Sequence, residues 1–526
     1  MKRCPKCNRI EMDDTLTFCR QDGVRMVSFD GESDTVSFGD QPMGAKVSKT
    51  GSRPRRSGRS VIESIAVLPF ENGSSDPNAE YLSDGMTEII INNLSQLPKL
   101  KVMARSTVFR YKGRQIDPEQ IGRQLGVRAV ATGRVQQLGD HLTIGVELVD
   151  TGDGSLLWGE RYSRKMDDIF SLQEDIAAQI SANLRLRVSR LHKKRLRKPH
   201  TMNGQAYQLY LKGRYFWNKR TADNACRGID HFQQALDLDP QFALAYAGIA
   251  DCQTLLGDVG VQATPPIEAF LQGQRSAQRA LELDDAVPEA HGTLGHISMH
   301  LFNWSGAEKQ LRRALELNPN YAQAGIWYAY FLAFTGRVDD SVAAIINALQ
   351  LDPLSPPVNR SAGELLFFAG RFGESIDRFE QAIEMDSHYV AHLELGRVYE
   401  HLERFEPALE QFAKARELSN HSAESLASMA HCCAVSGKKR EAQNLLIDLK
   451  KASEDHYVSP YDLALVHKAL AQHEECFRLL NRAYEIHDGW MIYITVDFRW
   501  KDLRADPRFI EVVRRMGLPQ SISNNH

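Results

Sequence analysis

A chain of 526 residues with 43% hydrophobic and 25% charged side chains exceeds what one core can organise, and its balance is that of ordinary folded protein. A formal charge of -3 excludes a global pull toward nucleic acid or membrane and leaves only local patches for such contacts. The sequence has no run of about 18 apolar residues to span a bilayer, and its start lacks the apolar core of a signal peptide, so it reads as cytoplasmic.

At the N-terminus Cys4 and Cys7 form one Cys-x2-Cys knuckle, and after eleven intervening residues Cys19 and Asp22 repeat the spacing with a carboxylate in place of the last thiol. Tetrahedral zinc takes four such ligands, because thiolates neutralise the ion and a two-residue gap lets both members of a knuckle reach it. Residues 1–27 resemble a zinc ribbon whose fourth cysteine has been replaced, which implies structural Zn²⁺ on Cys4, Cys7, Cys19 and Asp22. The alternative is a degenerate ribbon with three bystander thiols. Cys226, Cys252, Cys432, Cys433 and Cys476 are scattered through helical sequence, as suits a reducing compartment.

Residues 28–60 are rich in Ser and Gly, acidic in their first half and basic in their second, and read as a disordered linker. From Ser64 the pattern turns to strand and helix. Ile65–Phe70 reads as a buried strand, 80–97 as a helix, 100–104 as a strand, and Asp117-Pro118 as the start of a short helix through Leu125. Strands at 129–136, 142–149 and 155–162 are joined by Leu-Gly-Asp and Thr-Gly-Asp-Gly turns, which suit antiparallel hairpins. Asp168 opens a long helix carrying Leu172, Ile176, Ile180, Leu184, Val188 and Leu191 on one face.

The motifs Ser64-Ile-Ala-Val-Leu-Pro-Phe70, Tyr81-Leu-Ser-Asp-Gly-Met-Thr-Glu88, Ala104-Arg-Ser-Thr-Val-Phe109 and Leu157-Trp-Gly-Glu-Arg-Tyr162 make residues 61–198 similar to the TolB-amino-terminal-like domain. That domain precedes tetratricopeptide arrays in many bacterial proteins. Relatives often carry a winged helix, kinase or cyclase upstream; none is visible in this sequence, so the resemblance carries no signalling output.

Within 199–526 the closing alanines Ala280, Ala314, Ala348 and Ala382 fall 34 residues apart, Ala415 follows after 33, and Leu449 holds the next position before Ala483. Ala235 precedes Ala280 by 45, so the second unit holds eleven extra residues, placed around Gly257 to Pro266. Gly295, Ala307 and Ala314 are matched by Gly396, Ala408 and Ala415, and Leu311, Ile345, Phe379 and Phe412 fill the large core position. This is the tetratricopeptide pattern, with about eight units from 206 to 488 and a capping segment from Trp500 to Leu518. The expected architecture is multidomain and mainly α: a small zinc ribbon, a two-layer α/β domain and an α-helical solenoid.

In the repeat family ligands lie against first helices. The register then places His296, Tyr330, Arg360, Glu364, Arg397, Glu400 and His431 toward a concave groove, with Arg360 and Arg397 on its solvent side to meet a partner's carboxylate or phosphate. A plainer reading pairs Arg360 with Glu364 at helical spacing. The stretch 185–198 holds eight Lys or Arg and no acid, which complements a helix C-terminus. Alternatively, with Arg53 to Arg59, it meets a nucleic-acid backbone.

The sequence contains no phosphate loop, Gly-x-Ser-x-Gly or His-Glu-x-x-His motif, and His392-x-Glu394 lacks the downstream cysteines of a deaminase. The expected function is that of a non-enzymatic bacterial adaptor or scaffold, cytoplasmic and without a membrane span, that binds a protein partner through the groove. The alternative is a nucleic-acid-associated transcriptional regulator using the ribbon and the basic stretches.

Overall fold

The computed structural model describes residues 2–3, 10–11, 27–28, 61–74, 76, 79–114, 117–165, 168–185, 201–258, 261, 264–455 and 457–519. Strands β1 (Lys2–Arg3), β2 (Ile10–Glu11) and β3 (Val27–Ser28) form a small antiparallel sheet in the order β2-β1-β3. The proposed ligands Cys4, Cys7, Cys19 and Asp22, the linker 28–60 beyond Ser28, and most of the basic stretch 185–198 lie outside the described residues.

The α/β unit is a mixed sheet ordered β6-β4-β7-β8-β9, built from β4 (Ser64–Val67), β6 (Lys101–Val102), β7 (Ala129–Leu138), β8 (His141–Asp150) and β9 (Leu156–Lys165). A short β5 (Glu71–Asn72) pairs with β7 beyond the end of β4. The first strands pair in parallel and the last three are antiparallel. Both hairpins turn on glycines with positive φ, Gly139 and Gly154, which side chains adopt poorly. Helix α1 (Glu80–Ser95) lies against β4, β6 and β7, and the last helix of the unit (Ile169–Asn183) against β8 and β9. Three elements of this unit escape the periodicity reading: β5, the one-turn helix α2 (Arg105–Val108) and the 3-10 turn Phe109–Tyr111. Helix α3 (Pro118–Leu125) begins as expected, with the Asp117 carboxylate accepting from Glu119 N at 3.2 Å.

Among the described residues eight antiparallel helix pairs follow, from Gly204–Trp217 with Ala222–Leu238 to Pro460–Ala469 with His473–Glu485. Small residues set the helix crossings: a Cβ on Gly396 would stand 2.5 Å from the Phe412 ring, and one on Gly295 2.6 Å from Leu311. The extra residues of repeat two lengthen the connection between Ala243–Gly257 and Pro266–Leu283 as well as both helices. One apolar cluster runs from Ile62 through Leu184 and on to Leu256, so the α/β unit and the first two repeats share a core.

After the eighth pair the chain forms two 3-10 turns, Gly489–Tyr493 and Phe498–Leu503, and a final helix, Pro507–Arg515. The capping segment therefore starts earlier than Trp500. It also closes the superhelix on itself: Trp304 Nε1 donates to the Met516 carbonyl at 2.7 Å, and His487 Nδ1 lies 2.9 Å from the His300 carbonyl. Among the described residues no helix is long and apolar enough to cross a membrane.

Candidate functional site: docking seam, inner face and a second-helix cleft

The α/β unit is bolted to the array by buried polar contacts. Glu88 of α1 receives Arg214 at 2.7 Å, Arg105 at 3.1 Å and the Asn218 amide at 2.7 Å. Burial opposes its ionisation, but the two guanidiniums outweigh burial and hold its carboxyl below the usual range. Arg214 continues to Asp251, which also accepts from Thr293. Farther along, Ser106 and Thr107 of α2 donate to Asp352, the residue that ends a repeat-four helix, and Ala104 N donates to the Leu351 carbonyl at 2.9 Å. Asn320 joins the seam by donating to the Ser95 and Leu100 carbonyls and accepting from Val102 N. Two motifs of the sequence, Tyr81 to Glu88 and Ala104 to Phe109, thus supply this seam.

The inner face of the array holds the chain's own tail. Tyr493 packs edge-on against Tyr330 and Phe334, with ring centroids 6.2 and 4.9 Å away, and Phe498 packs against Phe367 at 5.6 Å. Thr495 donates its hydroxyl to the Phe334 carbonyl at 3.1 Å. Arg397 sits under the tail with its guanidinium 4.4 Å from the Trp490 ring, ion-paired to Glu394 at 2.7 Å and 4% exposed. The expectation that Arg397 faces solvent is therefore corrected: the indole covers it.

The other expected groove residues divide. Glu364 is buried and hydrogen-bonded by the Tyr330 hydroxyl, and the Arg360–Glu364 ion pair of the plainer reading does not form among the described residues. Arg360, half-buried, lies within the electrostatic reach of Tyr330, Glu364 and Tyr493. Glu400 and His431 pair with each other, both buried between the first helices of repeats six and seven. His296 turns to Asp258 at 2.9 Å and stacks on Trp327. His392 is held by Gln411 and Ser387 while Glu394 serves Arg397, so the His-x-Glu pair is absorbed into packing.

Burial, with Glu394 nearby, raises the Glu364 carboxyl to about 8, and burial raises Glu424 to about 8 and Asp462 to about 7 against the pull of Arg397. The tail's own Asp497 is opposite in sense: Arg499, 2.8 Å away, overcomes burial and holds it near 2.

On the second-helix side an open cleft of about 630 Å³ lies between repeats six and seven. Its apolar floor is Leu409, Ala413, Met429 and Leu445, and its rim carries Glu406, Glu410 and Glu441. These three acids are exposed and make no ion pair among the described residues. Sequence reasoning missed this cleft, because most of its residues sit at second-helix positions that the groove reading passed over, with Met429 the floor residue from a first helix.

Residues 303–356 and 361–423 match the tetratricopeptide repeat family model, as the eight stacked helix pairs require. The array is a tetratricopeptide solenoid. Residues 61–179 match the family described as HilA/YgeH-like transcriptional regulator, second domain, a different family from the TolB-amino-terminal-like one that the motifs resemble. The chain is 34% identical over 234 residues to a candidate adenylate cyclase of Rhizobium meliloti, covering 44% of this chain and 39% of that protein. It is 24% identical over 145 residues to the transcriptional regulator HilA of Salmonella typhimurium, covering 28% of this chain and 26% of that protein. It thus spans about two-fifths or less of the length of these curated relatives. Among solved structures, PilW, a type IV pilus biogenesis factor, is 20% identical at TM-score 0.34, covering 41% of this chain and 98% of that one. The Thermus thermophilus repeat protein TTC0263 is 18% identical at TM-score 0.31, covering 35% and 98%.

Proposed function

We propose that this chain is a non-enzymatic adaptor of the bacterial cytoplasm whose repeat array holds a protein partner in the cleft between repeats six and seven. The observation that carries the reading is the contrast between the two faces of the array. The inner face is filled by the chain's own aromatic tail, whereas the second-helix cleft is open, apolar at its floor and acidic at its rim. Charge complementarity selects the occupant: a partner segment with an apolar stripe flanked by Lys or Arg. Cys4, Cys7, Cys19 and Asp22 are proposed to hold one structural zinc. The short paired strands support this, since in the sequence Cys4 and Cys7 fall between β1 and β2, and Cys19 and Asp22 between β2 and β3.

The test places a photo-crosslinking residue at Leu409 or Glu410 of the full chain, and at Tyr328 as a control away from the cleft, in native cells. The reading expects one protein trapped from the two cleft positions and not from the control. Equal trapping from all three positions, or none, contradicts it.

A second reading has one observation in its favour, the match of 61–179 to a transcriptional-regulator family. In it the ribbon and the basic stretch 185–198 contact a nucleic-acid backbone. Salt-dependent retention of the full chain on DNA or RNA supports that reading, and absence of retention at low salt removes it.

A further inference from the structure

We propose that Asp258, His296 and His300 form a binding site for a divalent transition-metal ion of the zinc class, separate from the N-terminal cysteines. His296 and His300 stand four residues apart on the repeat-three helix Pro288–His300, which brings both imidazoles to one face. Asp258 follows the repeat-two helix Ala243–Gly257 directly, at the start of the lengthened connection that distinguishes this repeat from the others. Its Oδ1 lies 2.9 Å from His296 Nε2, and one ligand atom from each of the three residues lies within 4.8 Å of the others.

The surroundings fit a ligand set better than an ordinary helix surface. His300 is 4% exposed and His296 9%, and among the described residues the Nδ1 atom of each is buried without a hydrogen-bond partner. An orphaned imidazole nitrogen in a protein interior asks for an explanation, and where the ring can turn that nitrogen to the ion, coordination by a metal supplies one. The rings are held in place by aromatic walls, His300 stacked on Phe270 at 4.3 Å and His296 on Trp327 at 4.8 Å.

Imidazole nitrogen and carboxylate oxygen are the donors of zinc sites with three protein ligands and an open position. Tetrahedral ligand atoms at bond lengths of about 2.0 Å are about 3.3 Å apart, so side-chain rotation must draw the widest pair inward by about 1.5 Å. The Asp258 side chain is 25% exposed, which leaves solvent access for a fourth ligand.

The test uses the full chain with Cys4, Cys7 and Cys19 replaced by Ser, so that the N-terminal thiols cannot contribute. Titration with Co²⁺ followed by absorption, and with Zn²⁺ by calorimetry, should give close to one equivalent. The cobalt spectrum should show d–d bands without thiolate charge transfer, and zinc should raise the melting temperature by mass action. Asp258→Ala should weaken binding at least about tenfold, and His296→Ala with His300→Ala should abolish it. Asp258→Ala removes a partly exposed side chain and keeps the fold, so its effect reads ligation. Failure to take up an equivalent of either ion overturns the proposal. So does uptake that none of the three substitutions changes.

Discussion

Gly396 shows what the repeat imposes on one residue. Its missing side chain lets the Phe412 ring close to a distance that any Cβ would violate, with 2.5 Å from the built Cβ to the nearest ring atom. Gly396→Leu should therefore lower stability by about 1–3 kcal/mol in chemical denaturation, and an unchanged midpoint would show that the crossing is loose. This contact was legible in the sequence, because Gly396, Ala408 and Phe412 recur in phase with other repeats. The fate of Arg397, one residue on, was not: its cover is Trp490, from a tail with no periodicity to place it. The buried acids beneath the tail lead to a pH prediction. Glu364, Glu424 and Asp462 have folded pKa values raised to about 8, 8 and 7, so their stabilisation is complete below their unfolded values and is lost as pH rises through 7 to 8. Over that window histidines whose folded pKa is lowered, such as His300 and His467, are neutral in both states and add no slope. The melting temperature should fall from pH 7 to 9, less steeply in Glu364→Gln. A rise across that range would contradict the burial of these acids.

Helix α2 is a single turn whose role depends on an element far along the chain. Ser106 and Thr107 reach Asp352, which sits where other repeats place an Asp or Asn to cap their own turn: Asp239 accepts from Gln241 N, Asp284 from Ala286 N and Asn318 from Asn320 N. The sequence displayed Ala104 to Phe109 as a motif and Asp352 as a repeat ending. Nothing local in either joins them, since docking partners some 245 residues apart leave no periodic trace. Helix α1 docks in the same manner through Glu88. Glu88→Ala leaves the half-buried Arg105 and Arg214 guanidiniums with fewer partners, and should cost about 3 kcal/mol in urea unfolding. A cost below about 1 kcal/mol would mean that the seam is wet and that the α/β unit rides loosely on the array.

For the molecule as a whole, the solenoid, its eight pairs and its lengthened second repeat were legible because 34-residue self-similarity repeats the same information many times. The occupant of the inner face was not, since a single tail segment has no repeat to amplify it. Met491, Ile494 and Trp500 of that tail are fully buried. At about 1.5–3 kcal/mol for each large side chain, their burial rivals the roughly 8 kcal/mol that a micromolar partner brings. A partner of ordinary affinity is therefore expected on the second-helix side, where the cleft of repeats six and seven is open. The direct measurement is capture from native cells by the full chain in three forms: wild type, Glu406→Lys with Glu410→Lys and Glu441→Lys, and Arg360→Glu, each checked by circular dichroism. The account predicts that the triple Lys variant loses a protein which wild type and Arg360→Glu both retain. Loss in Arg360→Glu with retention in the triple Lys variant would contradict it and return the partner to the inner face.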